Sequence, residues 1–140
     1  MIFSFLNRLQ VKKITVATAD DNGRQAQTVL EGLLADLPEL LMACVVELAT
    51  GKMLASYTSR KEYNPNHISL RYAKTLRTMN EALSRGAWPG GELLDSTLML
   101  DDQLHHLRPM HNGEWYCFLA VRMADANLGI AKEIMRRHAN

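Results

Sequence analysis

The chain predicts an α+β domain, a five-stranded antiparallel sheet with helices on both faces. Three observations lead there. Residues 40–48 and 115–123 are apolar on both of their alternating sets, so each reads as a strand covered from two sides. Turn sequences too short for a crossover join strands to their neighbours, which makes those pairs antiparallel. Two further stretches repeat apolar residues at three- and four-residue spacing, the pattern of helices that bury one stripe.

Residues 1–23 are the least patterned. Phe3, Phe5, Leu6 and Leu9 suit a short amphipathic turn and Ile14-Thr15-Val16 a short extended piece, before Asp20-Asp21-Asn22-Gly23 breaks the pattern. This segment is expected to be an N-terminal arm, mobile or docking on a partner or a membrane surface, with the domain proper at 24–140.

From Gln25 onward, Val29, Leu30, Leu33, Leu34 and Leu37 form one helical stripe, which Pro38 ends. The strand at 40–48 turns at Ala49-Thr50-Gly51-Lys52, where Gly51 accepts a positive φ angle, into a partner strand at 53–58. Asn64 and Pro65 suit the start of a second helix. Its core stripe is Ile68, Tyr72, Leu76, Met79 and Leu83, widened by Leu70 and Ala73. Gly86 stops it, and Pro89-Gly90-Gly91 is an open turn. Residues 93–100 and 105–110 read as strands, His111-Asn112-Gly113-Glu114 as a hairpin turn, and 115–123 as the last strand before a closing helix. The order is α-β-β-α-β-β-β-α.

With 140 residues, 47% of them hydrophobic, one core is the expectation. A net charge of +1 gives no electrostatic footing for nucleic acid. No apolar run approaches the roughly 20 residues of an integral membrane span. The apolar start is too brief for a secretion signal. Cys44 and Cys117 both fall inside apolar strands, as reduced core thiols do. A cytoplasmic protein is expected.

The chemistry-bearing residues do not converge. His105 and His106 are adjacent, so a strand points them to opposite faces, and solvated or core-edge roles are expected rather than a metal site. Asp101-Asp102 reads as strand termination, without a desolvated partner for acid–base work. Ser59-Arg60-Lys61 has no glycine-rich frame to make it a nucleotide loop. The methionines suit adaptable packing. No catalytic residue, cofactor or metal is expected. Trp88 sits in a Gly- and Pro-rich loop, where it either caps the second helix or serves as a contact hot spot.

Several short pieces, in this order, resemble the roadblock family (the roadblock/dynein light chain superfamily), stand-alone prokaryotic type. They are Ala43-Cys44-Val45-Val46-Glu47-Leu48 with its turn Thr50-Gly51-Lys52 and Met53-Leu54-Ala55, then Phe118-Leu119-Ala120-Val121 leading to Ala126-Asn127-Leu128-Gly129-Ile130-Ala131. In the last piece Asn127 is placed to cap a helix and Gly129 to let its first turn approach a neighbour. The likeness spans about residues 25–137. It departs from the family at Thr50, where Asp is common, and in residues 1–23, which have no counterpart in the minimal fold.

The resemblance implies a roadblock/profilin-like fold and a non-enzymatic module. Roadblock proteins pair as homo- or heterodimers through the second helix and third strand, and serve as dynein cargo adaptors or as scaffolds and activators of Ras-like GTPases. The expectation is a homodimer, or a dimer with a paralogue, that regulates or scaffolds a Ras-like small GTPase. A small-ligand sensor and a structural adaptor without a GTPase are the alternatives. The expected dimer residues are Leu70, Ala73, Arg77, Asn80, Leu94, Ser96 and Leu98, with Arg60, Lys61 and Trp88 as partner contacts. An apolar third strand at the sheet edge needs such cover, since an unpaired apolar edge aggregates.

Overall fold

The computed structural model describes residues 14–85 and 88–140. The expected amphipathic turn at Phe3–Leu9 and the helix stop at Gly86 lie outside them.

Among the described residues the sheet has six strands, not five. Thr15–Val16 (β1) pairs antiparallel with Met53–Thr58 (β3), so it adds an outer strand that two residues are too few to betray by alternation. The remaining strands are Met42–Glu47 (β2), Ser96–Met99 (β4), Gln103–Met110 (β5) and Trp115–Arg122 (β6). Their order is β1-β3-β2-β6-β5-β4. The long helices are Asp21–Asp36 (α1), Asn66–Arg85 (α2) and Leu128–His138 (α3). The chain thus runs β-α-β-β-α-β-β-β-α, a leading strand ahead of the expected order.

The first long helix begins at Asp21, ahead of the helical pattern read from Gln25. Asp20 caps α1, its carboxylate accepting from Gly23 N at 3.0 Å and from Thr18 Oγ1 at 2.7 Å. These bonds, Thr18 first, hold the Asp20 carboxyl below its usual range. Gly23 is required here, because a Cβ would lie 2.0 Å from Thr18 O. The four residues read as a breaker are a helix start.

Alternation divides the core in two. Ala43 and Val45 of β2 join Cys117, Leu119 and Val121 of β6 beneath α1 and α3, with Leu30, Leu33, Ile134 and Met135 supplied by the helices. Met42, Cys44 and Val46 join Tyr116, Phe118 and Ala120 beneath α2, with Ala73 and Leu76. Both cysteines are free and buried, one on each side of the sheet, and burial pushes the Cys117 thiol up to about 12. Asp36 ties α1 to α3 through Arg137 at 3.1 Å and His138 at 2.7 Å.

The turns carry out their sequence cues. Gly51 takes φ 78°, and Thr50 fills the role expected of an aspartate by accepting from Lys52 N at 3.1 Å. His111, Asn112 and Gly113 all have positive φ, and His111 stacks on Trp115 at 4.1 Å. Asn127 caps α3, accepting from Ile130 N at 3.1 Å. No neighbour uses the space at Gly129, where an added Cβ would meet only its own cap, Asn127 Oδ1, at 3.5 Å.

Candidate interaction surface

The surface follows from how α2 sits. Its line of contact with the sheet is Ser69, Ala73 and Leu76, spaced four and three apart, all buried. Two of these are small, which lets the helix come close enough for the Tyr116 hydroxyl to donate to Ser69 O. Every residue on either side of that line is set by the helical period.

One flank of α2 turns toward β2 and β3. Arg77 Nη1 donates to Leu48 O at 2.6 Å and Ala49 O at 3.2 Å, and Leu70 closes over Gly51. The other flank turns toward β4 and β5. There Ile68, Tyr72 and Met79, expected in the core stripe, are only partly buried. Tyr72 Oη lies 2.7 Å from His105 Nδ1 on β5.

β4 closes the sheet at this side and, among the described residues, pairs only with β5. It is shorter than the strand expected at 93–100. In its register Leu98 stands beside His105, and Ser96 beside Leu107, on the α2 face, whereas Thr97 and Met99 stand on the α3 face. Leu94, Leu98 and Met99 are 71%, 36% and 67% exposed. The result is an unpaired edge, apolar at Leu98 and Met99, on the same side of the sheet as the partly buried second flank of α2.

His105 and His106 are 5% and 1% exposed, more buried than expected. His106 Nδ1 lies 2.8 Å from Thr97 Oγ1, binding β5 to β4 on the α3 face. Burial lowers the pKa of both rings; for His106, Asp95 opposes the shift, and Lys132 and Arg108 add to it.

At the Trp115 end of the sheet lies an open hollow of about 920 Å³, lined by Asn80, Leu83, Trp88, Leu94, Arg108 and His111 among others. Trp88 is mostly exposed and rests against Gly90, so it does not serve as a buried cap.

No family model matches the chain, and no curated protein sequence does. Solved structures do. MglB of Myxococcus xanthus superposes with a TM-score of 0.72 at 9% identity, over 88% of each chain. The gliding protein MglB of Thermus thermophilus gives 0.66 at 12%, over 89% of this chain and 90% of that one. A Roadblock/LC7 domain from Streptomyces avermitilis gives 0.63 at 14%, over 76% and 85%. The chain has the roadblock fold.

Within the roadblock fold the residues expected at an interface separate. Leu94, Ser96 and Leu98 lie along the unpaired edge, and Asn80 lines the hollow beside it. Ala73 is fully buried against the sheet and offers no surface. Leu70 and Arg77 face β2 and β3, away from the edge. Arg60 and Lys61 are exposed on the loop after β3, with Arg60 3.8 Å from Glu62. That loop is at the Met42 end of the sheet and Trp88 at the Trp115 end, so the three cannot form one patch. Among the described residues no helix is long and apolar enough to cross a membrane.

Sequence reasoning missed that Ile68, Tyr72 and Met79 are only partly buried, because large apolar residues at helical spacing look like core. The cue was present in Ser69 and Ala73. Small residues mark where a helix approaches its sheet most closely, and that fixes the rotation of the rest.

Proposed function

We propose that this chain is a non-enzymatic, homodimeric interaction module that regulates or scaffolds a Ras-like small GTPase. The observation that carries the dimer is the apolar, unpaired β4 edge beside a half-buried flank of α2. A two-fold axis perpendicular to the sheet, passing between two β4 strands, pairs them antiparallel, extends two sheets into one and brings Leu98, Tyr72 and Met79 beside their own copies. The interface then comprises Leu94, Ser96 and Leu98 with Ile68, Tyr72 and Met79, in place of Leu70, Ala73 and Arg77. A paralogue with the same edge would serve equally.

The GTPase assignment rests on the fold shared with two MglB proteins and on the roadblock resemblance read from the sequence. Arg77 is held by two backbone carbonyls, which leaves Arg60 and Arg71 as the exposed arginines near the start of α2. In this proposal regulation proceeds by population shift, the dimer binding switch loops better in one nucleotide state than in the other. The sensor alternative needs a hollow between sheet and helix, whereas the space beneath α2 is filled by Leu76, Tyr116 and Phe118.

The test is chromatography with light scattering on the chain mixed with a Ras-like GTPase from the same genome, loaded with GTP or GDP. A complex with one nucleotide form and not the other supports the proposal. A dimer that ignores every such GTPase leaves the structural adaptor reading in its place.

A further inference from the structure

Residues 1–13, Arg60 and Lys61 belong to one end of the molecule, and the dimer face uses none of them. The chain enters the sheet at Thr15, which stands beside Ser56, with Ile14 packed against the core. That is two residues, about 7 Å, from the end of β3 at Thr58. The loop that follows carries Arg60 and Lys61, both exposed. Lys12 and Lys13 precede Thr15 by three and two residues, at most about 11 Å of chain. Topology alone therefore draws these basic residues together near the β1 edge, across the sheet from β4.

We propose that this end binds an anionic lipid surface, residues 2–9 entering it as an amphipathic helix while Arg8, Lys12, Lys13, Arg60 and Lys61 meet its headgroups. At helical spacing Ile2, Phe3, Phe5, Leu6 and Leu9 share one side, and Ser4, Asn7, Arg8 and Lys12 the other. Aromatic and aliphatic residues opposite basic ones make the composition of a helix that lies in the plane of a membrane interface. So short a segment is a weak anchor alone, and stable attachment takes a second signal. The basic cluster is that signal, since each Lys or Arg near an anionic surface strengthens binding about fivefold.

Charge selects the partner. No Asp or Glu precedes Asp20, so the charge of the arm is wholly positive, from Arg8, Lys12 and Lys13. These three exceed the chain's net charge of +1, so the remainder is net negative and repelled by the same surface. Attraction is thereby confined to this end. Carboxylates on the adjoining loops are Glu62, 3.8 Å from Arg60, and Glu39, exposed just before β2. The Arg60–Glu62 pair is mostly exposed on both sides, so it contributes little to hold Arg60 back. Asp101 and Asp102 lie on the β4–β5 turn, at the other edge of the sheet.

Co-sedimentation of the whole chain with phosphatidylcholine vesicles, with and without phosphatidylglycerol, tests this. The wild-type chain is expected to bind the anionic vesicles, to gain helical circular dichroism on binding, and to be released as salt rises. Phe5→Glu abolishes binding, and Arg60→Gln with Lys61→Gln weakens it by about tenfold or more. Arg24→Gln, near the start of α1 and so toward the Trp115 end, leaves it unchanged. A chain that ignores both vesicles, or binds the two equally, overturns the proposal and turns the arm toward a protein partner. Binding that survives Phe5→Glu also overturns it, and equal losses in Arg24→Gln and the Arg60, Lys61 variant overturn the placement of the surface. Should Phe5→Glu fail to fold, the salt series on the wild-type chain decides, and binding indifferent to salt contradicts the proposal. None of these outcomes depends on the dimer or on the GTPase.

Discussion

The two faces of this sheet are covered unequally. Two helices, α1 and α3, lie across one face and bury Leu30, Leu33, Ile134 and Met135 against it, although Leu128 and Ile130 of α3 stay exposed. A single helix lies across the other, and the space between it and the β4 edge is left to Ile68, Tyr72, Met79 and Leu98. One helix is about 10 Å wide and six strands span more than twice that, so a lone helix cannot close a six-stranded face. The lesson is that the interaction surface needs no added motif. It is the part of the sheet that the chain does not supply enough helix to cover.

This contrast sets the size of mutational effects. Leu30→Ala, on the closed face, is expected to cost about 2–5 kcal/mol in urea unfolding, as full burial and incomplete collapse dictate. Met79→Ala, half-buried on the open face, is expected to cost about 1 kcal/mol or less in the monomer. Equal losses would mean that the two faces are packed alike. Asp20→Ala removes the cap of α1 and is expected to cost about 1 kcal/mol, with Asp20→Asn recovering most of it. Because Thr15–Val16 and the cap both belong to the fold, deleting residues 1–20 should lower the melting temperature clearly. An unchanged melting curve would return these residues to the status of an arm.

Much of this fold was legible because its central strands are apolar on both sides. Residues 42–47 and 115–122 could only be interior strands, and Gly51 and Asn127 announced their turn and cap. Three things were hidden for physical reasons. A two-residue strand carries no period, so β1 was read as part of an arm. Gly23 looks like a breaker until the backbone of Thr18 is placed against it. The rotation of α2 was misjudged because Tyr72 and Met79 outweigh Ser69 and Ala73 in hydrophobicity, whereas close approach is governed by size. The edge position of β4 was foreseen, whereas Leu70 and Arg77, expected at the same interface, lie on the flank of α2 toward β2 and β3. The buried state of the histidine pair depended on partners in α2 and β4 that no sequence spacing reveals.

The most direct measurement is the solution mass of the wild-type chain and of Leu98→Asp by light scattering, with urea unfolding run on the variant. A dimer that becomes a monomer with its fold intact, within about 0.5 kcal/mol of the wild-type monomer, is the predicted result. A wild-type monomer, or a dimer mass that Leu98→Asp leaves unchanged, would contradict the assignment of the α2–β4 face.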